Sequence, residues 1–136
     1  MSLPQIDTSQ SVDLLRDALS TLQAIYLFGS QATGEANAES DVDLAILLPR
    51  PLSAAQRWAL AGELAERLNR EVDLVDLRQA STVLQQQVLS EGRRLWACGS
   101  EADEFELMVQ SEYWDLAIQR RGLIDDIKQR GSVHGG

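Results

Sequence analysis

The chain has 136 residues, close to the commonest size for one compact domain and too short for two substantial cores. Apolar residues make up 44% and charged residues 24%, globular values that exclude wholesale disorder. Twenty-one Asp and Glu against twelve Lys and Arg leave −9 at pH 7, which disfavours direct binding to nucleic acid or an anionic membrane and favours metal ions, metal-chelated phosphates or a basic protein.

The opening MSLPQIDTSQ lacks the basic start and apolar run of a signal peptide, and no apolar stretch approaches the length of a membrane span. A first helix is expected after Thr8 or Ser9, with Val12, Leu15, Leu19 and Leu22 at helical spacing. Ala24 to Phe28 reads as a buried strand ended by Gly29. Residues 30–40 are small and polar, a helical turn followed by loop. Val42 to Leu48 is a second strand stopped by Pro49 and Pro51. Ser53 suits the N-cap of a helix carrying Trp58, Leu60, Leu64, Ala65 and Leu68. Glu71 to Leu77 reads as a third strand, and a helix follows Ser81 and stops at Gly92. Arg94 to Ala97 is a fourth, edge strand. Cys98 is the only cysteine, which excludes an internal disulfide, and a free, buried thiol is expected there. Residues 102–129 read as one long helix with a break near Gly122. His134, the only histidine, leaves no material for a Ser–His–Asp or His-ligated zinc site, and Lys128, the only lysine, cannot complete a Walker-type loop. The alternation predicts an α/β domain, a small sheet covered by helices, in a reducing and cytoplasmic setting.

Chemistry concentrates in Ala24 to Leu48, AIYLFGSQATGEANAESDVDLAILL. One strand ends in Gly29-Ser30, and ten residues later the next begins with Asp41-Val42-Asp43. Alternation along a strand puts residues 41 and 43 on one face, about 6–7 Å apart. Two adjacent carboxylates repel unless a cation neutralises them, and Mg²⁺ does so while leaving positions for phosphate oxygens. Gly29 permits a tight turn and close approach of a phosphate, and Ser30 offers a hydroxyl and an amide. A two-metal site needs a third acid. The strand Glu71-Val-Asp-Leu-Val-Asp-Leu77 offers Asp73, mid-strand on the face of Glu71 and Val75, and Asp76, near the strand end where solvent can satisfy it. Asp73 is the better candidate.

Gly29-Ser30, ten residues, then Asp41-x-Asp43 resembles the GSx10DxD motif of the polymerase-β-like nucleotidyltransferases. With EVDLVDL it is similar to the minimal nucleotidyltransferase (MNT) subgroup over residues 10–98. The resemblance implies a small mixed β-sheet flanked by helices with a long C-terminal helix. Asp41, Asp43 and Asp73 would bind Mg²⁺, two ions in all, and Gly29 and Ser30 would hold ATP. A hydroxyl acceptor would then attack the α-phosphorus and release pyrophosphate.

Residues 1–99 are expected to form the nucleotidyltransferase domain. Residues 100–136 form a helical extension, either part of the same unit or partner-binding. Phe105, Val109, Tyr113, Leu116 and Ile127 make an apolar stripe, with Leu107, Trp114 and Ile118 off it. The arrangement resembles the antitoxin half of HEPN/MNT toxin–antitoxin pairs. That implies a complex with a HEPN-domain RNase toxin and AMP transfer to a toxin tyrosine, without direct contact to nucleic acid or membrane. Two other readings stay open: an antitoxin that only masks the toxin, and an aminoglycoside-type adenylyltransferase.

Overall fold

The computed structural model describes residues 8–34 and 41–134, with side chains through residue 122. Helix α1 (Thr8–Ala18) leads into strand β1 (Ala24–Phe28), the one-turn helix α2 (Ser30–Thr33) and strand β2 (Val42–Leu47). Helix α3 (Ala54–Leu68), strand β3 (Val72–Asp76), helix α4 (Thr82–Glu91), strand β4 (Arg93–Ala97) and helix α5 (Glu101–His134) complete the chain, with a 3-10 turn at Leu77–Gln79.

Local chemistry sets the boundaries. Ser53 caps α3 in a reciprocal box: its Oγ accepts from the Gln56 amide at 3.1 Å, and the Gln56 side chain accepts from the Ser53 amide at 3.3 Å. Ser81 caps α4 by accepting from the Leu84 amide at 3.2 Å. The expected third strand is trimmed by one residue at each end, and at its C-terminal end Leu77 already belongs to the 3-10 turn. Helix α5 passes through Gly122 without a break; one glycine inside a long helix costs only about 1 kcal/mol.

The sheet has the order β3-β2-β1-β4. β1 is antiparallel to both β2 and β4, whereas β2 and β3 are parallel, joined by a crossover through α3. This is the mixed, helix-flanked sheet expected. Ile25, Leu27, Val42, Leu44, Ile46 and Leu74 pack with Leu14 and Leu15 of α1 and Leu60 and Leu64 of α3. The opposite face sets Tyr26, Phe28, Ala45 and Leu47 against Val88 of α4 and Phe105 and Val109 of α5.

Helix α5 is divided along its length. Ala102, Phe105 and Val109 are buried in the second core, whereas every residue from Gln110 to Leu116 is exposed, and Ile118 is too. So the proximal half of the expected stripe is core and the distal half, Tyr113 and Leu116, faces solvent with Trp114 and Ile118. The Ile127 and His134 side chains lie outside the described residues. Arg94 of β4 ties α5 down by pairing with Asp103 at 2.9 Å and Glu106 at 3.2 Å. The Tyr26 hydroxyl donates to Glu106 at 3.3 Å. Burial and the neighbouring Glu106 carboxylate push the Tyr26 phenol well above its ordinary range, so it stays a donor.

Two expectations are corrected. Cys98 is exposed rather than buried, because it follows the last residue of β4 and only its backbone amide turns inward, to the Gln23 carbonyl at 3.0 Å. Trp58 stands 83% exposed on α3 instead of joining Leu60 and Leu64 in the core.

Candidate active site

Strand pairing assembles the acidic cluster. Asp43 lies opposite Phe28 of β1 on one side and opposite Asp73 of β3 on the other. Asp43 is therefore central, and Asp41 sits two residues back, where alternation returns the chain to the same face. Asp41 and Asp73 are exposed and Asp43 is half-buried. The cluster occupies the α4/α5 face of the sheet, since Ala45 and Leu47, in phase with Asp43, pack in that core.

Burial pushes the Asp43 carboxyl above its ordinary value, and the Asp73 and then Asp41 carboxylates push it further. A half-buried carboxyl flanked by two further acids marks a place that attracts a cation. As the side chains stand, no three His, Cys, Asp or Glu groups among the described residues converge closely enough to hold a metal ion. The backbone fixes the common face, and the aspartate torsions remain to close around a ligand. An all-carboxylate oxygen set suits Mg²⁺.

The Gly29-Ser30 turn packs against this cluster. Gly29 has φ +71° and ψ −155°, a conformation nearly confined to glycine. A Cβ there would collide with the Asp43 carboxylate oxygen and lie 3.1 Å from its Cγ. Glycine thus lets the end of β1 sit directly on the central acid. Ser30 begins α2, whose turn is closed by the Ala32 and Thr33 amides donating to the Gly29 carbonyl at 3.1 and 3.2 Å. The two halves of the motif, ten residues apart in sequence, are brought together by the antiparallel β1–β2 pair.

Asp76 takes no part in the cluster. It points to the opposite face and is 6% exposed, and its Oδ2 accepts from the Leu52 amide at 2.9 Å. The expectation that solvent satisfies it is corrected: the side chain is buried, a backbone amide from the segment leading into α3 serves Oδ2, and Oδ1 is buried with no hydrogen-bond partner among the described residues. Asp73 and Asp76, three residues apart on one short strand, are separated by strand alternation into a site-facing acid and a structural one.

Sequence reasoning did not foresee a cleft of about 370 Å³ between α3 and the outer edge of β3, lined by Ala54, Arg57, Trp58, Ala61, Val72, Asp73 and Leu74. The signal available was Trp58 itself, an aromatic residue two positions before the helix's core-facing Leu60–Leu64 pattern begins.

The chain matches the family described as "Polymerase beta, Nucleotidyltransferase" over residues 12–101. It is 42% identical to the protein adenylyltransferase MntA of Shewanella oneidensis over 125 residues, 92% of this chain and 90% of the relative. A crystal structure of a toxin–antitoxin with AMP-PNP superposes with TM-score 0.79 at 43% identity, covering 90% of this chain and 98% of the other. A tri-AMPylated Shewanella oneidensis HEPN toxin in complex with MNT antitoxin gives TM-score 0.70 at 42% identity, covering 88% and 93%.

Proposed function

The chain belongs to the polymerase β nucleotidyltransferase family, and from that premise we propose that it is a protein adenylyltransferase antitoxin that moves AMP from Mg-ATP to a tyrosine hydroxyl of a HEPN-domain RNase toxin. The observation that carries the reading is Gly29 seated against Asp43 with Asp73 in register beside it. The reaction makes one bond and breaks one: the tyrosine oxygen bonds to the α-phosphorus, and the bond to the β-phosphate oxygen breaks to release pyrophosphate.

Asp41, Asp43 and Asp73 would hold the metal, and Gly29 and Ser30 would hold the triphosphate. Mg²⁺, when bound, supplies paired-ion charge neutralisation at the reacting phosphates. Gly29 lets the triphosphate approach without a side chain in the way. The Ser30 hydroxyl and amide orient it, and Asp73 accepts the proton of the attacking phenol. Positioning and fixed charge then provide most of the rate, as in phosphoryl transfer generally.

The distal part of α5 is the docking surface in this reading. Tyr113, Trp114, Leu116 and Ile118 are 44–63% exposed, and aromatic residues on an otherwise unburied helix are common anchors of protein interfaces. Glu112 and Asp115 lie among them and suit a basic partner. Cutting the chain after Gly99 would also remove Ala102, Phe105 and Val109 from the core, so the informative truncation falls after Gln110. It is expected to keep the fold and lose the complex. No helix among the described residues is long and apolar enough to cross a membrane, in keeping with action in the cytoplasm on a protein target.

The direct test incubates the protein with ATP, Mg²⁺ and its HEPN-domain partner and compares it with the Asp41→Ala/Asp43→Ala variant. Loss of both AMP transfer and neutralisation supports the enzyme. Neutralisation that survives in the variant supports masking alone, which the exposed α5 surface also favours.

A further inference from the structure

We propose that Gly92 is a positioning residue for the nucleotide: there the end of α4 closes on the last residues of β1 and holds the Gly29-Ser30 turn in place beside Asp43. The assignment rests on the adenylyl-transfer reading above, in which that turn carries the triphosphate. On the β2 side the ladder of β1 runs the whole strand, as far as Phe28 opposite Asp43. On the β4 side it stops one residue earlier, at Leu27 opposite Arg93. Phe28 and the turn beyond it therefore have a paired strand on one flank only.

Gly92 stands on the other flank. It closes α4, and its amide donates to the Val88 carbonyl at 2.8 Å. Its backbone, at φ −82° and ψ 173°, is extended and open to any residue, so contact rather than conformation calls for glycine here. A Cβ at this position would collide with the Val88 carbonyl oxygen and lie 2.9 Å from the Leu27 carbonyl oxygen and 3.3 Å from the Phe28 Cβ. Two of these groups are backbone, and both belong to fully buried residues, Val88 in one core and Leu27 in the core on the opposite face. Gly62, by contrast, has nothing within 4 Å of its Cβ position.

The end of β1 is thus held by two glycine contacts, Gly29 against Asp43 and Gly92 against Leu27 and Phe28. A methyl group on Gly92 must open the second contact, whichever strand yields, and the turn then loses its support from behind. Asp43 and Asp73 keep their places, because the β2–β3 ladder that pairs them is built without Gly92. A shift of about an ångström between a bound group and the residues that act on it costs about 100-fold in rate. Gly92 itself touches no reacting atom.

The test measures AMP transfer to the HEPN-domain partner by folded Gly92→Ala, varying ATP and partner separately. The kcat/KM for ATP is expected to fall about 100-fold, with the KM for the partner within about two-fold of wild type. Val88→Ala, which hollows the same end of α4 without a new contact on β1, is expected to lower Tm and leave the kcat/KM for ATP within about two-fold. A Gly92→Ala enzyme with an ATP kcat/KM near wild type overturns the assignment. So does an equal loss in Val88→Ala, which would make the effect one of stability alone. Amide hydrogen exchange on the wild type needs no variant: Mg-ATP without partner should slow exchange at residues 27–33 and at 92–93 together, and protection of 27–33 alone overturns the assignment. A wild-type protein that transfers no AMP overturns instead the adenylyl-transfer reading beneath it.

Discussion

Replacing Gly29 with alanine puts a methyl group where the Asp43 carboxylate now lies. Two costs follow from the geometry. At φ +71° and ψ −155° an L-residue is strained, by about 1–3 kcal/mol. The new Cβ also meets Asp43 Oδ2 and stands 3.1 Å from Cγ and 3.4 Å from Cβ, so the carboxylate must swing away from the turn. For a domain of this size the backbone term alone lowers Tm by roughly 4–12 °C at about 4 °C per kcal/mol. Displacing the central acid by about an ångström should reduce AMP transfer by about 100-fold. Gly34→Ala separates the two effects, because Gly34 has φ +83° but nothing within 4 Å of its Cβ position. It is expected to lower Tm slightly and leave transfer intact. Thermal unfolding by circular dichroism and a transfer assay on both variants decide the matter. A Gly29→Ala protein with unchanged Tm and transfer within about two-fold of wild type would refute the reasoning.

Asp73 and Asp76 should fail in opposite ways. Asp73→Asn, at an exposed position, is expected to leave stability within about 0.5 kcal/mol and to reduce transfer at least about 100-fold. Asp76→Ala strands the Leu52 amide and should cost about 1–3 kcal/mol in denaturant unfolding, with residual transfer in the folded fraction. Asp43 predicts a pH dependence. Its raised pKa means that the folded state holds the proton more tightly than the unfolded chain, so its stabilising contribution is full below the ordinary aspartate range and is lost as pH rises through the raised value. Metal-free Asp43→Asn should therefore melt above wild type at neutral pH, with the difference shrinking as the pH falls; a lower Tm at neutral pH would contradict this. Mg²⁺ with ATP should raise the Tm of wild type but not of this variant.

The parts of the molecule legible in the sequence are those whose physics is local. Gly29 after an apolar run and Asp41-x-Asp43 before another define β1 and β2 and, by alternation, one acidic face. Ser53 and Ser81 announce their helices through the amides they cap. Features that depend on what packs where were less legible. Alternation separates Asp73 from Asp76, but only the parallel β2–β3 register places Asp73 opposite Asp43, and the same docking of the α3 approach supplies the amide that buries Asp76. Trp58 lies in a helix whose period suits burial, yet α3 turns it away from the core. Periodicity reports a face and not its neighbour. For the same reason the stripe on α5 could not reveal where core ends and open surface begins.

That division of α5 has an angular consequence. A single uninterrupted helix of 34 residues carries both the buried residues that anchor it and the exposed ones beyond. Each residue turns a helix by about 100° and advances it about 1.5 Å. The bearing of Trp114 and Ile118 relative to the aspartate row is thus fixed by helical phase from Val109 onward. One residue inserted near Gln110 would rotate that surface by more than a quarter turn while leaving every side chain present. Seven inserted residues would nearly restore its bearing while carrying it about 10 Å outward. The length and phase of the helix, as much as its composition, determine the direction from which a bound partner faces the site.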